Sequence, residues 1–369
     1  MSIDRSRRRR YGRPVTSRRP FGERFRNVPG EDKPREDGGV QTGSVPTANR
    51  RPTIVDVARA AGVSKSLVSA ALRGEPGVST ASRDRISDAA DRLGYRTNGW
   101  AQRLVSGRSD LVGVLLTDLR NGYQTDVVNG IEDAAHAAGF DVILSHGRRD
   151  PALLQARLQG LIDLGVDAII AVTGHLGAAQ LAPAATRVPH VVVGRPETVP
   201  DEVGWVRNDD EAGARLAVRH LQQRGHDRIA FVHGSDRPAS RARRDTYRAL
   251  VPDSCEIADA AALVDVAGRA SAVFAANDRI AAQVLAEAAD AGIRVPDDLA
   301  VVGYDNTELA TLVRPGLTSV DQPRAAMGAD AMAQALALVD RADPRRFVAE
   351  PSLVIRASSG DPAYGGGAH

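Results

Sequence analysis

The sequence predicts an α/β protein: an N-terminal all-helical head carrying a helix-turn-helix, followed by a bilobed body built on parallel sheets. Three observations predict it. Between Thr53 and Leu93 apolar residues recur at helical spacing, interrupted by single glycines. From Leu111 onward the period changes to short continuous apolar runs separated by helical stretches, the pattern of strands buried on both faces. At 369 residues the chain is too long for one typical core and suits a small head plus a larger body.

Residues 1–50 are rich in Arg, Pro, Gly and Asp and poor in aliphatics, without helical or alternating period. They cannot bury enough apolar surface to offset ordering entropy, so a disordered basic tail is expected. Residues 1 to 52 hold thirteen Arg and one Lys against six Asp or Glu, while the whole chain is only +2, so the remainder is net acidic. That asymmetry points to a nucleic-acid-facing end and a different task at the other. The run Arg7-Arg8-Arg9-Arg10 has two readings, nonspecific phosphate contact and a solvated tail. No apolar h-region follows it, so it does not read as a secretory signal.

The head is expected over residues 51–97. Thr53 followed three residues later by Asp56 signals a helix start, and Ile54, Val57, Ala58 and Ala61 form one apolar face. Gly62 suits a left-handed turn residue, Val63 fills the angle between helices, and Ser64 caps a second helix directing Leu67, Val68, Ala71 and Leu72 inward. A short helix packed crosswise on its predecessor protrudes into a major groove. The residues placed to meet DNA are Thr53, Ser64, Lys65, Ser66, Ser69, Ala70 and Arg73. A small helical hairpin within a larger core is the alternative. Ser79 then starts a third helix with Ile86, Ala89, Ala90 and Leu93 inward; Gly94 stops it, and Tyr95 packs back on the head. Residues 98–109 form a hinge and linker whose helix, Gly99 to Ser106, is marginal in isolation and suited to folding on a partner.

Asp56-Val57-Ala58, Ala61-Gly62-Val63-Ser64, Val68-Ser69, Leu93-Gly94-Tyr95 and the spacing Asn98-x-x-Ala101-x-x-Leu104 resemble the head and hinge of the lactose-repressor/galactose-repressor (LacI/GalR) family. The resemblance extends from Arg51 to Ser358. It implies that the hinge helices of a homodimer pair in the minor groove of a double-stranded operator. Asn98 and Ala101 would lie there, with Leu104 as the wedge that kinks the central base pairs. Two positions depart from the family pattern. Ala70 stands where an arginine is common and offers a base only apolar contact, and Thr97 replaces the proline before Asn98.

The body is expected over residues 110–358, before a flexible tail at 359–369. Its strands are read at Leu111 to Leu116, Val142 to Leu144, Ala168 to Val172 and His190 to Val193, then Ile229 to Val232, Ala272 to Ala276 and Leu299 to Val302. Helices fall at Asp126 to Ala138, Pro151 to Leu164, Ala212 to Arg224 and Ile280 to Ala291. Two such units in tandem resemble a type I periplasmic-binding-protein fold, whose ligand sits beyond the strand C-termini. Reading those ends places Thr117 and Asp118 after the first strand, Asn121 and Tyr123 in the next loop and Arg195 after the fourth. In the second unit Asn277 and Asp305 take the corresponding places, and Arg243, four residues before Tyr247, resembles the family's cleft arginine. Carboxylates, amides and guanidinium groups around one aromatic suit a hydroxyl-rich ligand. The resemblance favours Asn277, Asp305 and Arg243 as effector contacts; a helix cap at Asn277 and a turn at Asp305 are their alternatives.

Leu317 to Gln322 resembles the family's return crossing between lobes. The stretch from Val251 to Ala270 is shorter than the family's, so a missing element or an exposed sheet edge is expected there.

Other chemistry finds little support. The single cysteine, Cys255, excludes an internal disulfide and a Cys-based metal site and suits a cytoplasmic protein. No apolar run is long enough to span a bilayer. His226 reads as a structural turn, and His175, His190 and His233 lack metal-ligand spacing. Neither a phosphate-cradling glycine loop nor a Gly-x-Ser-x-Gly elbow is present, so no enzyme, cofactor or metal is expected. The resulting expectation is a DNA-binding transcriptional repressor controlled by a small-molecule effector, a carbohydrate, in the interlobe cleft. A solute-binding receptor without a DNA role is the alternative; the absent export signal and the head count against it.

Overall fold

A computed structural model describes residues 52–72, 75–95, 108–263 and 268–360. The expected tail at 1–50 and the positions Arg73, Asn98, Ala101 and Leu104 lie outside them.

The head consists of α1 (Ile54–Ala61), α2 (Lys65–Leu72) and α3 (Thr80–Leu93). Val57, Ala58, Val68, Ala71, Ile86, Ala89 and Ala90 form its core, with Ile54, Val63, Leu67, Leu72 and Tyr95 packed around them. Gly62 has φ 66°, the left-handed geometry the α1–α2 turn requires. The Ser64 hydroxyl accepts from Leu67 N at 3.2 Å and the Ser79 hydroxyl from Ser82 N at 3.3 Å, so both serines cap as expected. Gly94, at φ 63°, ends α3, and Tyr95 N donates to Ala90 O at 2.8 Å. Leu93 does not face inward: it is exposed, because this closure turns Tyr95 rather than Leu93 onto the core.

The body follows in chain order: β1 (Leu111–Leu116), α4 (Gly122–Ala137), β2 (Asp141–His146), α5 (Pro151–Leu164), β3 (Ala168–Val172), α6 (Ala178–Ala185), β4 (His190–Val193) and β5 (Gly204–Asn208). Next come α7 (Asp210–Gln223), β6 (Ile229–Val232), α8 (Pro238–Leu250), β7 (Cys255–Ile257), β8 (Ala272–Ala275), α9 (Asp278–Asp290), β9 (Ala300–Asp305) and α10 (Glu308–Leu312). The chain closes with β10 (Thr318–Asp321), α11 (Arg324–Val339), β11 (Arg346–Ala349) and β12 (Ser352–Val354).

These strands make two six-stranded sheets, ordered β11-β5-β4-β3-β1-β2 and β12-β10-β9-β8-β6-β7. Every pairing is parallel except β10 with β12. The fully buried runs of β1, β3, β4, β6 and β8 explain why their sequences show no alternation.

The chain crosses between lobes three times: from β5 to α7, from β10 to α11, and from β11 to β12. In the first lobe α11 lies against α4 through two glycines. A Cβ at Gly130 would fall 2.2 Å from Ala325 O, and one at Gly328 would fall 2.2 Å from Val127 O. Only glycine permits that backbone approach.

The shortened Val251–Ala270 stretch still supplies a strand. β7 pairs with β6 at the edge of the second sheet, with Cys255 and Glu256 half-buried and Ile257 buried, so a strand is not what the shortening removed. Between β7 and β8 the described residues add one 3-10 turn, Ala260–Ala262. Tyr247 anchors β7: its hydroxyl accepts from Cys255 N at 2.8 Å and shares its proton between Ile229 O at 2.8 Å and Cys255 O at 2.9 Å. His226 sits in the turn before β6, its Nδ1 3.1 Å from Ser271 Oγ. At the C-terminal end Ser358 and Ser359 are buried against β10, so Ser359 belongs to the packed body rather than to the tail.

Candidate effector cleft and DNA-reading surface

A cleft of about 370 Å³ opens between the lobes at the C-terminal ends of the strands, within the range of small-ligand sites. Thr117, Asp118, Tyr123, Arg195, Arg243, Asn277 and Asp305 all line it. Seven side chains from scattered parts of the chain therefore converge on one cavity.

From the first lobe, Thr117 and Asp118 leave the end of β1 almost fully buried. Asp118 accepts from Arg120 and, at 2.6 Å, from Arg149 Nε; Arg120 is the first cause holding its carboxyl down at about 2. Tyr123 does not lie in a loop: Asn121 caps α4, accepting from Tyr123 N at 3.2 Å, and Tyr123 occupies the first turn. Burial raises its phenol well above the ordinary value, so it faces the cleft as a neutral donor and apolar ring. Arg195 forks onto Glu211 at 2.7 and 2.9 Å.

From the second lobe, Arg243 is buried on α8. It holds Asp210 at 2.9 Å, donates to Ala276 O at 2.7 Å, lies 3.8 Å from Asp305 and stacks 3.5 Å above the Tyr304 ring centroid. The Tyr304 hydroxyl in turn accepts from Asn208 Nδ2 at 2.7 Å, tying β9 to the first crossing. Burial pushes Asp210 up, with Arg243 opposing it. Asn277 caps α9, its Oδ1 accepting from Ile280 N at 3.0 Å, and also borders the cleft. The cap reading therefore holds, and the residue also stands at the cleft wall. Asp305 ends β9 at φ 101° and accepts from Gln322 at 2.6 Å; burial pushes its carboxyl up to about 7, against the Arg243 charge.

Sequence reasoning missed several lining residues. Arg207, Asn208 and Asp210 sit at β5 and the start of α7; β5 alternates buried and half-buried positions and so lacks a continuous apolar run. The triple Asn208-Asp209-Asp210 ahead of the expected helix was the available signal: Asp209 caps α7, accepting from Ala212 N at 2.8 Å. His175 also borders the cleft, its Nδ1 3.2 Å from Thr117 Oγ1 and 3.3 Å from Thr173 Oγ1. Burial, then the Arg237 charge, pushes His175 down to about 4, which leaves it neutral. No group of three or more His, Cys, Asp or Glu suited to a metal occurs among the described residues.

On the head, Ser64, Lys65 and Ser66 are exposed along the start of α2, and Thr53, Ser69 and Ala70 are half-buried. Ser64 is engaged as a cap and lies 2.9 Å from Ser66 Oγ, so Lys65 is the freest long polar side chain of this turn.

A helix-turn-helix head joined to a two-lobed body with a polar interlobe cleft is the plan of a transcription regulator that reads DNA at one end and a small ligand at the other. Residues 53–98 match the family described as bacterial regulatory proteins, lacI family. Residues 109–257 match periplasmic binding proteins and sugar binding domain of LacI family, and 218–359 match a periplasmic binding protein-like domain. The chain belongs to the LacI family of bacterial regulatory proteins.

It is 34% identical to the HTH-type transcriptional regulator CelR of Thermobifida fusca, over 84% of this chain and 98% of the relative. It is 33% identical to catabolite control protein A of Priestia megaterium, over 76% and 90%. Among solved structures, a complex of the regulator CelR with cellobiose is similar at TM-score 0.60 and 30% identity, covering 84% of this chain and all of that one. A lac repressor dimer bound to operator and the anti-inducer ONPF is similar at TM-score 0.74 and 25% identity, covering 84% and 99%. No helix among the described residues is long and apolar enough to cross a membrane.

Proposed function

We propose that the protein is a cytoplasmic repressor that binds a pseudo-palindromic operator as a homodimer and whose DNA affinity is set by a carbohydrate in the interlobe cleft. The observation that carries this reading is the convergence of Thr117, Asp118, Tyr123, Arg195, Arg243, Asn277 and Asp305 on one cavity, in a chain that also carries a helix-turn-helix. The relatives support it: the solved CelR structure holds cellobiose, and the lac repressor structure is a dimer on its operator.

The physical basis is differential stabilisation. A ligand bridging Asp118 and Tyr123 on one lobe to Arg243, Asn277 and Asp305 on the other binds best at one lobe angle. It thereby shifts the population toward that angle. The hinge residues Asn98, Ala101 and Leu104, between head and body in sequence, would carry the change to the minor groove. Lys65, Ser66, Ser69, Ala70 and Arg73 would meet the major groove, with Thr53 and Ser64 at the helix starts.

Genome-wide footprinting with purified protein, with and without a panel of neutral and anionic sugars, tests the proposal. A specific palindromic footprint that a sugar weakens or strengthens is expected. No specific footprint would overturn the regulator reading, and a footprint insensitive to every ligand would overturn the effector part alone.

A further inference from the structure

Five arginines line the cleft, and three are already committed: Arg149 to Asp118, Arg195 to Glu211 and Arg243 to Asp210. The other two, Arg207 and Arg237, make no ion pair among the described residues. Arg207 leaves β5 half-buried, its guanidinium carbon 4.8 Å from the Trp205 ring centroid and its Nε buried without a hydrogen-bond partner. The neighbouring carboxylate, Glu211, is occupied by the Arg195 fork. Arg237, at the start of α8, sits at the mouth beside Ser235 and Ser240, and its charge reaches His175 on the opposite lobe. A buried guanidinium donor without an acceptor is costly unless a ligand supplies one.

We propose that the effector is anionic: a carbohydrate bearing a phosphate or carboxylate group that Arg207 and Arg237 receive. The proposal rests on the reading of the cleft as the effector site and sharpens its chemistry. With Glu211 counted, four carboxylates face the five Arg and none of the four pairs with Arg207 or Arg237, so a neutral sugar would leave the two uncommitted cations unanswered. An anion spanning Arg207 on β5 and Arg237, the cap residue before α8, gains charge-assisted hydrogen bonds from both lobes at once.

The test uses the full chain and thermal unfolding. Sodium phosphate is compared with sodium chloride at matched ionic strength, and glucose 6-phosphate and glucuronate are compared with glucose. Phosphate, and at least one of the two anionic sugars, should raise the melting temperature above its control. Arg207→Gln and Arg237→Gln should each weaken that binding on the order of tenfold, the worth of one charge-assisted hydrogen bond. A response to glucose 6-phosphate alone assigns the group as a phosphate ester, and a response to glucuronate alone assigns a carboxylate.

Equal melting in phosphate and chloride, or variants that bind phosphate like the wild type, overturns the proposal. Should Arg207→Gln fail to fold, the exposed Arg237→Gln carries the test. Neutral sugars that alter operator affinity while no anion binds would overturn this inference and leave the regulator reading standing. Arginine-dependent anion binding without any effect on operator affinity would keep the anion site but overturn its assignment as the effector, again leaving the regulator reading standing.

Discussion

Replacing Asp305 by Asn should change how stability depends on pH. In the folded protein burial raises the Asp305 carboxyl from 3.8 to about 7, with Arg243 opposing. Between those values the folded state holds a proton that the unfolded state has released. This group's stabilising contribution is therefore complete below about pH 4 and is lost as pH rises through about 7. The gap corresponds to about 4 kcal/mol as an upper bound, since solvent still reaches the side chain and screens it. The amide of Asp305→Asn cannot titrate and keeps an acceptor for Gln322.

Urea unfolding of both proteins from about pH 4.5 to 7.5 should give a stability difference that moves toward the variant as pH rises, with a slope approaching 1.4 kcal/mol per pH unit at most. His175, pushed down to about 4, acts with the opposite sign in this window, and Asp118 acts below it; both are common to the two proteins and cancel in the difference. A difference that stays flat across the window would refute the reasoning. The same titration converts a donor in the cleft into an acceptor, so wild-type affinity for a carboxylate-bearing sugar, which does not itself titrate there, should also change near pH 7 while that of the variant does not.

Three further outcomes rest on packing and capping. In Gly213→Ala the new Cβ would lie 2.1 Å from the Tyr304 hydroxyl; the displaced ring carries Arg243 and Asn208 with it, so urea unfolding should show a loss of about 1–3 kcal/mol and calorimetry a weaker effector complex. Gly328→Ala meets backbone rather than a movable side chain, so a loss of similar size, about 1–3 kcal/mol, is expected, and an unchanged melting temperature would contradict the α4–α11 contact. Ser79→Ala removes the α3 cap and should cost the head about 1 kcal/mol, read as weaker operator binding in a mobility-shift titration. From the sequence motif, Leu104→Ala should reduce operator bending in a circular-permutation assay while leaving effector affinity intact.

Much of the body was legible because parallel strands buried on both faces read as unbroken apolar runs. Pro151–Leu164 and Ala168–Val172 match their expected bounds to the residue. The cleft was legible for a topological reason: in open parallel sheets ligands collect at strand C-termini, and five of the seven predicted residues lie at or just beyond strand ends, while Tyr123 lies in the first turn of the helix after β1 and Arg243 came from the family motif. What escaped was structure without a continuous apolar signature. β5 mixes Trp205 and Val206 with Arg207 and Asn208, so the edge of the cleft that it builds stayed hidden, and with it Arg207. Leu93 departs from expectation although Gly94 is the expected stop: the left-handed closure turns Tyr95 onto the core and leaves the last helical position exposed. β7 survives in three residues because Tyr247, from the preceding helix, supplies the hydrogen bonds that hold it.

The three lobe crossings bear on how the molecule is made. The first sheet begins at Leu111 yet is closed by β11, Arg346–Ala349, and its α4 face is covered by α11; the second sheet receives its last strand from Ser352–Val354. Neither lobe is encoded contiguously, so a ribosome must deliver nearly the whole chain before either sheet is complete. The head, by contrast, is assembled from neighbours in sequence, and contacts of short separation form quickly. The DNA-reading module can thus mature while the sensor is still being synthesised. Any message truncated before codon 346 would yield a reader without a complete receiver, a product unable to answer its ligand.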